Sequence, residues 1–138
     1  MRRAAAVVLV VAALLGGCSD DTEPAGRPAR VLDLRQGSIE RIDVLEPATG
    51  RTGSGEPGPR LAADLTPLLA IRELDRVRPE YGLDPPRLEV TIHTADRDVG
   101  LRVGAENFDG TAVYVLAGGR TALVLPRVVE ALEAIVEG

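Results

Sequence analysis

Few side chains in these 138 residues can do chemistry, and their spacing limits what that chemistry could be. His93 is the single imidazole and Cys18 the single thiol. Around His93 the order Leu88, Glu89, Val90, Thr91, Ile92, His93 alternates strictly between apolar and polar. On a strand this puts Glu89, Thr91 and His93 on one face. A carboxylate and an imidazole sharing a face are the minimum for acid–base work. The same residues also describe a solvated strand face whose charges pair across a hairpin, for instance with Arg102, and the pattern favours that second reading. Asp96 and Asp98 follow in a turn; together with His93 they fall short of the ligand number and loop pattern of a calcium site, and acidic hairpin tips are common. Ser54 lies in Gly53-Ser54-Gly55, but a nucleophile elbow needs G-x-S-x-G and residue 52 is Thr. The expectation is no catalytic residue, no metal and no cofactor.

Composition excludes further classes. All 16 basic residues are Arg, so neither a Schiff-base lysine nor a P-loop lysine is available. One Cys and one His cannot form a structural zinc site or an intramolecular disulfide. A formal charge of -5 argues against nucleic acid as a partner.

The thiol is informative through its position. Arg2 and Arg3 precede an unbroken apolar run from Ala4 to Leu15, and Gly16 and Gly17 lead into Cys18. This is the three-part layout of a secretory signal. Twelve apolar residues cover roughly 18 Å of helix, short of the ~30 Å hydrocarbon core of a bilayer. Leu15-Gly16-Gly17-Cys18 resembles the lipobox of bacterial lipoproteins. The resemblance implies cleavage between Gly17 and Cys18, a diacylglyceryl group on the Cys18 thiol, and a chain held at a bacterial membrane facing the periplasm or exterior. The mature chain would carry 14 Arg against 21 acids, a charge of -7, so the lipid and not electrostatics would anchor it. Residues 18–30 read as the lipidated Cys followed by a flexible tether, with Pro24, Gly26 and Pro28 and no apolar period. Its twelve residues after Cys18 span at most about 40 Å.

The remaining residues, 31–138, must position everything else. Strands are expected at 31–34 and 38–45, the second carrying Ile39, Ile42, Val44 and Leu45 with Glu40, Arg41 and Asp43 as their polar partners. Residues 47–60 hold four Gly and three Pro, which predicts a long mobile loop. Helical spacing at 61–75 gathers Leu61, Leu65, Leu68, Leu69 and Ile71 on one face; with Asp64 or Thr66 capping the start, Pro67 falls in the first turn. Residues 81–86 form a turn, then strands are expected at 88–94, 99–103, 111–117 and 121–125, the last two joined by Gly118-Gly119. A final helix at 127–136 places Val128, Val129 and Leu132 opposite Glu130, Glu133 and Glu137. The fold class is α+β: an antiparallel sheet of five to seven strands with two helices.

Tyr81-Gly82-Leu83-Asp84-Pro85-Pro86, the strand at 88–94, Leu101-Arg102-Val103-Gly104, Val113-Tyr114-Val115 and Leu123-Val124-Leu125-Pro126 with its terminal helix together resemble domain-of-unknown-function family 4340. The resemblance implies a secreted or membrane-tethered accessory domain, in some members associated with ABC-type transport components. It carries no catalytic residues. A protein-interaction surface is expected at Tyr81 and Gly82 and along the acidic stripe Glu130, Glu133 and Glu137. The functional reading is a membrane-anchored, non-enzymatic accessory module of the cell envelope. The alternative is a small-solute or glycan binder with the 47–60 loop as its lid.

Overall fold

A computed structural model describes residues 29–138, so the signal segment, Gly17, Cys18 and most of the expected tether lie outside the described residues. The fold is α+β: a seven-stranded antiparallel sheet, a two-stranded sheet and two α-helices. β1 (Arg30–Leu32) pairs with β4 (Leu68–Leu69). The large sheet runs β3 (Arg51–Gly55), β2 (Ile39–Glu46), β6 (Leu88–Thr94), β7 (Asp98–Glu106), β8 (Val113–Ala117), β9 (Arg120–Val124) and β5 (Arg72–Leu74). Helices α1 (Pro59–Leu65) and α2 (Pro126–Glu137) cover one of its faces.

Alternation decides which side chains are covered. Ile42 and Val44, then Leu88, Val90 and Ile92, then Leu101 and Val103, are all buried, and so are Val113, Val115 and Val124 further along the sheet. They pack against Leu61 and Leu65 of α1 and Val128, Val129 and Leu132 of α2. The intervening residues Asp43, Glu89, Thr91, Gly100 and Arg102 point to the other, open face. β6 occupies the residues its alternation predicts, and the two-residue β8–β9 hairpin uses Gly118 and Gly119 at φ +56° and +77°, the backbone an I′ turn requires.

Two segments depart from expectation. The predicted loop at 47–60 contains a strand and the start of a helix. A turn at 47–50, with Gly50 at φ +74° and its N–H donating to the Glu46 carbonyl at 2.9 Å, reverses the chain into β3, which pairs with β2 from Ile42↔Gly55 to Glu46↔Arg51. Arg-Thr-Gly-Ser-Gly has poor strand propensity. What holds it is the backbone ladder to β2 and the approach of α2: a Cβ on Gly53 would meet backbone atoms of Ile135 and Val136 at 2.1–2.8 Å. Pro59 then sits at the start of α1, where a missing N–H is harmless.

The predicted helix at 61–75 ends at Leu65. Thr66 precedes Pro67, whose ring disfavours α geometry in the residue before it. Beyond the proline the chain becomes extended, with Leu68 and Ala70 buried and Leu69 and Ile71 exposed, a period of two and not 3.6. β1 begins at Arg30, so the expected tether is one residue shorter at that end.

Candidate functional site

Register brings the polar face together around His93. Asp98 of β7 lies directly across from His93 of β6; on the other side Arg41 of β2 is its partner, with Asp43 one step along. Ser54 of β3 is opposite Asp43. The side chains close a line across four strands. The Ser54 hydroxyl donates to Asp43 Oδ1 at 2.5 Å, His93 Nε2 lies 2.6 Å from Asp43 Oδ2, and His93 Nδ1 lies 2.8 Å from Asp98 Oδ1.

This arrangement favours the charged form of the ring. A neutral imidazole has one N–H, so one of its two carboxylate contacts would set a lone pair against an anionic oxygen; an imidazolium donates to both. The Asp43 hydrogen bond, then the Asp98 hydrogen bond, accordingly raise the His93 pKa above its ordinary value. The Ser54 hydroxyl, then His93, with the Arg41 charge adding to them, hold the Asp43 carboxyl below the usual carboxylate range.

The order of the chain decides its chemistry. In a serine-nucleophile triad the imidazole stands between hydroxyl and carboxylate and takes the hydroxyl proton. Here the carboxylate stands between them, so His93 has no path to the Ser54 proton. The ring is also not paired with Glu89: four residues along a strand are about 13 Å, and Glu89 lies opposite Arg102 and Leu45. The two acids flank the ring from opposite sides and do not converge on a common point. Among the described residues no group of three or more His, Cys, Asp or Glu side chains is placed to share a metal ion. What the cluster does is tie β3, β2, β6 and β7 across the open face, beside a groove of about 490 Å³ that also involves Glu40, Arg41 and Glu56.

The other expected surface residues fall in two places. Tyr81 ends a short 3-10 turn (Pro79–Tyr81) and is buried, its ring stacked on Tyr114 with centroids 4.0 Å apart and planes 15° from parallel. Gly82 follows at φ +65°, against Ala105. On α2, Glu130 and Glu137 are exposed, while Glu133 is half-buried and bonded to Arg87 at 3.2 Å. Asp96, which the sequence grouped with His93, pairs instead with Arg35 at 3.3 Å. Asp43 is the member of the cluster that sequence reasoning missed. Its only local signal is its place on the polar face of β2, and nothing local says which strand that face meets.

No family model, curated protein or solved structure matches the chain. No helix among the described residues is long and apolar enough to cross a membrane.

Proposed function

We propose that this chain is an exported bacterial lipoprotein, anchored through lipid on Cys18, whose α+β domain is a non-enzymatic accessory or interaction module of the cell envelope working beside an ABC-type transport system. The observation that carries the anchoring is the placement of the only thiol: two Arg, twelve apolar residues and two Gly lead directly to it. The envelope setting and the transporter link rest only on the sequence resemblance to family 4340, which no family model reproduces. The non-enzymatic part is supported by the order of the cluster: the Asp43 carboxylate stands between Ser54 and His93, so the ring has no path to the hydroxyl proton, and both ring nitrogens are engaged by carboxylates. The exposed acids Glu130 and Glu137 remain available for a basic surface on a partner.

Metabolic labelling with a fatty-acid analogue tests the anchor. The wild-type chain incorporates label and partitions into detergent; Cys18→Ala loses both properties. Label retained by Cys18→Ala, or absent from the wild type, overturns the assignment. Crosslinking in intact cells tests the partner: a membrane component of an ABC-type transporter is the expected product, and crosslinks confined to copies of this chain refute the interaction role.

A further inference from the structure

Four of the five exposed large apolar side chains among the described residues lie at one end of the sheet; the fifth, Val77 at 49%, follows β5 at the other. Leu69 is 44% exposed, Ile71 55%, Leu125 44% and Phe108, the only Phe in the chain, 100%. Topology places them together. The Ile71 N–H donates to the Leu123 carbonyl at 2.7 Å, next to the end of β9 from which Leu125 follows. Val124 of β9 is in register with Val113, the first residue of β8, and the turn carrying Phe108 joins β8 to β7 at that same end. Adjacent strands are about 4.8 Å apart, so the four side chains span only a few strand widths.

The described chain begins beside β4 and β9, where the Arg30 carbonyl also accepts from Arg120, the first residue of β9, at 3.0 Å. Ala29 accepts a hydrogen bond from Ala70, between Leu69 and Ile71, at 2.8 Å. Ten residues separate Ala29 from Cys18, a reach of at most about 40 Å. An anchor on Cys18 would keep this point of entry within about 40 Å of the bilayer, close enough for a second, weak contact to be effectively intramolecular.

We propose that this end is a lipid-contacting face: Leu69, Ile71, Leu125 and Phe108 enter the interfacial layer of the same bilayer that holds the Cys18 lipid. The inference rests on the lipoprotein reading. It gives the domain a fixed orientation, with the turn around Arg97 at the opposite end of β7, facing away from the membrane. Half-exposed aliphatic residues and a fully exposed aromatic ring at the entry of a tether are what an interfacial contact uses, since apolar groups gain by leaving water while the backbone around them stays paired.

The test uses the full lipidated chain in vesicles of phosphatidylethanolamine and phosphatidylglycerol. Lipidation consumes the Cys18 thiol, so Ile71→Cys, Phe108→Cys and Arg97→Cys each introduce one reactive site for an environment-sensitive fluorophore. All three positions are exposed, so the core is untouched. The probes at 71 and 108 should shift to the blue and lose fluorescence to lipids bearing a nitroxide near the headgroup, while the probe at 97 does neither. Probes at 71 and 108 as accessible to a water-soluble quencher as the one at 97, on a chain whose mass shows an acylated Cys18, overturn the docking and leave the lipoprotein reading standing. A chain without acyl mass on Cys18 removes both. Shielding at 71 and 108 that is indifferent to nitroxide lipid means that protein, a second copy or a partner, covers this end, and refutes the lipid contact.

Discussion

Two glycines in one strand should respond to the same substitution with opposite sign. Gly53 and Gly55 both belong to β3, and neither has a positive φ, so alanine meets no backbone strain at either position. At Gly55 an added Cβ finds no atom within 4 Å; at Gly53 it would lie 2.1 Å from the Ile135 carbonyl oxygen and 2.8 Å from the Val136 Cα. Comfortable carbon contacts begin near about 3.5 Å, so the end of α2 or β3 must yield by more than about 1 Å. These are backbone atoms of a packed helix and cannot swing aside as a side chain would. Gly53→Ala should therefore cost about 1–3 kcal/mol, as overpacking usually does. Gly55→Ala should stabilise by about 0.4–1 kcal/mol through the lost freedom of the unfolded chain. Thermal unfolding of the full chain in non-ionic detergent, followed by circular dichroism, resolves the difference, because each kcal/mol moves Tm by about 4–8 °C in a domain of this size. If 47–60 were a mobile loop, both substitutions would be mildly stabilising. Equal shifts of the same sign would refute the packing of β3 beneath α2.

Further outcomes follow from the site and from the Tyr81 turn. Because the chain has one His, its imidazole protons give one unambiguous NMR titration. The midpoint should lie above the ordinary 6.5 and fall in Asp43→Asn; a wild-type midpoint at or below 6.5 contradicts the two-carboxylate geometry. The raised His93 pKa contributes stability that is complete below about pH 6.5 and is lost as pH rises through the folded value, whereas the depressed Asp43 pKa contributes stability above about pH 4 that is lost on acidification. Unfolding midpoints should therefore be highest between these limits, and His93→Gln should flatten the alkaline limb. Gly104→Ala should destabilise by about 1–3 kcal/mol, since its Cβ would stand 2.1 Å from the Tyr81 carbonyl oxygen and 3.0 Å from Leu83 Cδ2; an unchanged Tm would show that the Tyr81 turn does not rest on β7.

The cluster on the open face shows how far local pattern reaches. Alternation around His93 correctly assigns the polar face of β6, and the same rule puts Asp43 on the polar face of β2. The two residues are 50 positions apart, and only the antiparallel register of β2 on β6 makes them neighbours. The partner first considered, Glu89, shares the face with His93 but is about 13 Å away along the strand. Sharing a face is a local property; lying within hydrogen-bond reach is a property of strand order.

By itself, the sequence determined those elements in which side-chain period, turn chemistry and composition agree. They include β6 with its boundaries, the Gly118-Gly119 hairpin, the amphipathic terminal helix, and the left-handed turn at Gly82. Tertiary structure alone decided the elements in which local signals conflict. β3 is a strand although its composition favours a loop, because β2 supplies its hydrogen bonds and α2 needs a residue without a Cβ at position 53. Leu68 and Leu69 are extended although their spacing continues a helix, because Pro67 ends α1 and β1 offers a partner for the freed backbone. Backbone donors and acceptors must be paired wherever the chain is buried, and when the local sequence offers no good pairing the neighbouring strand determines the structure.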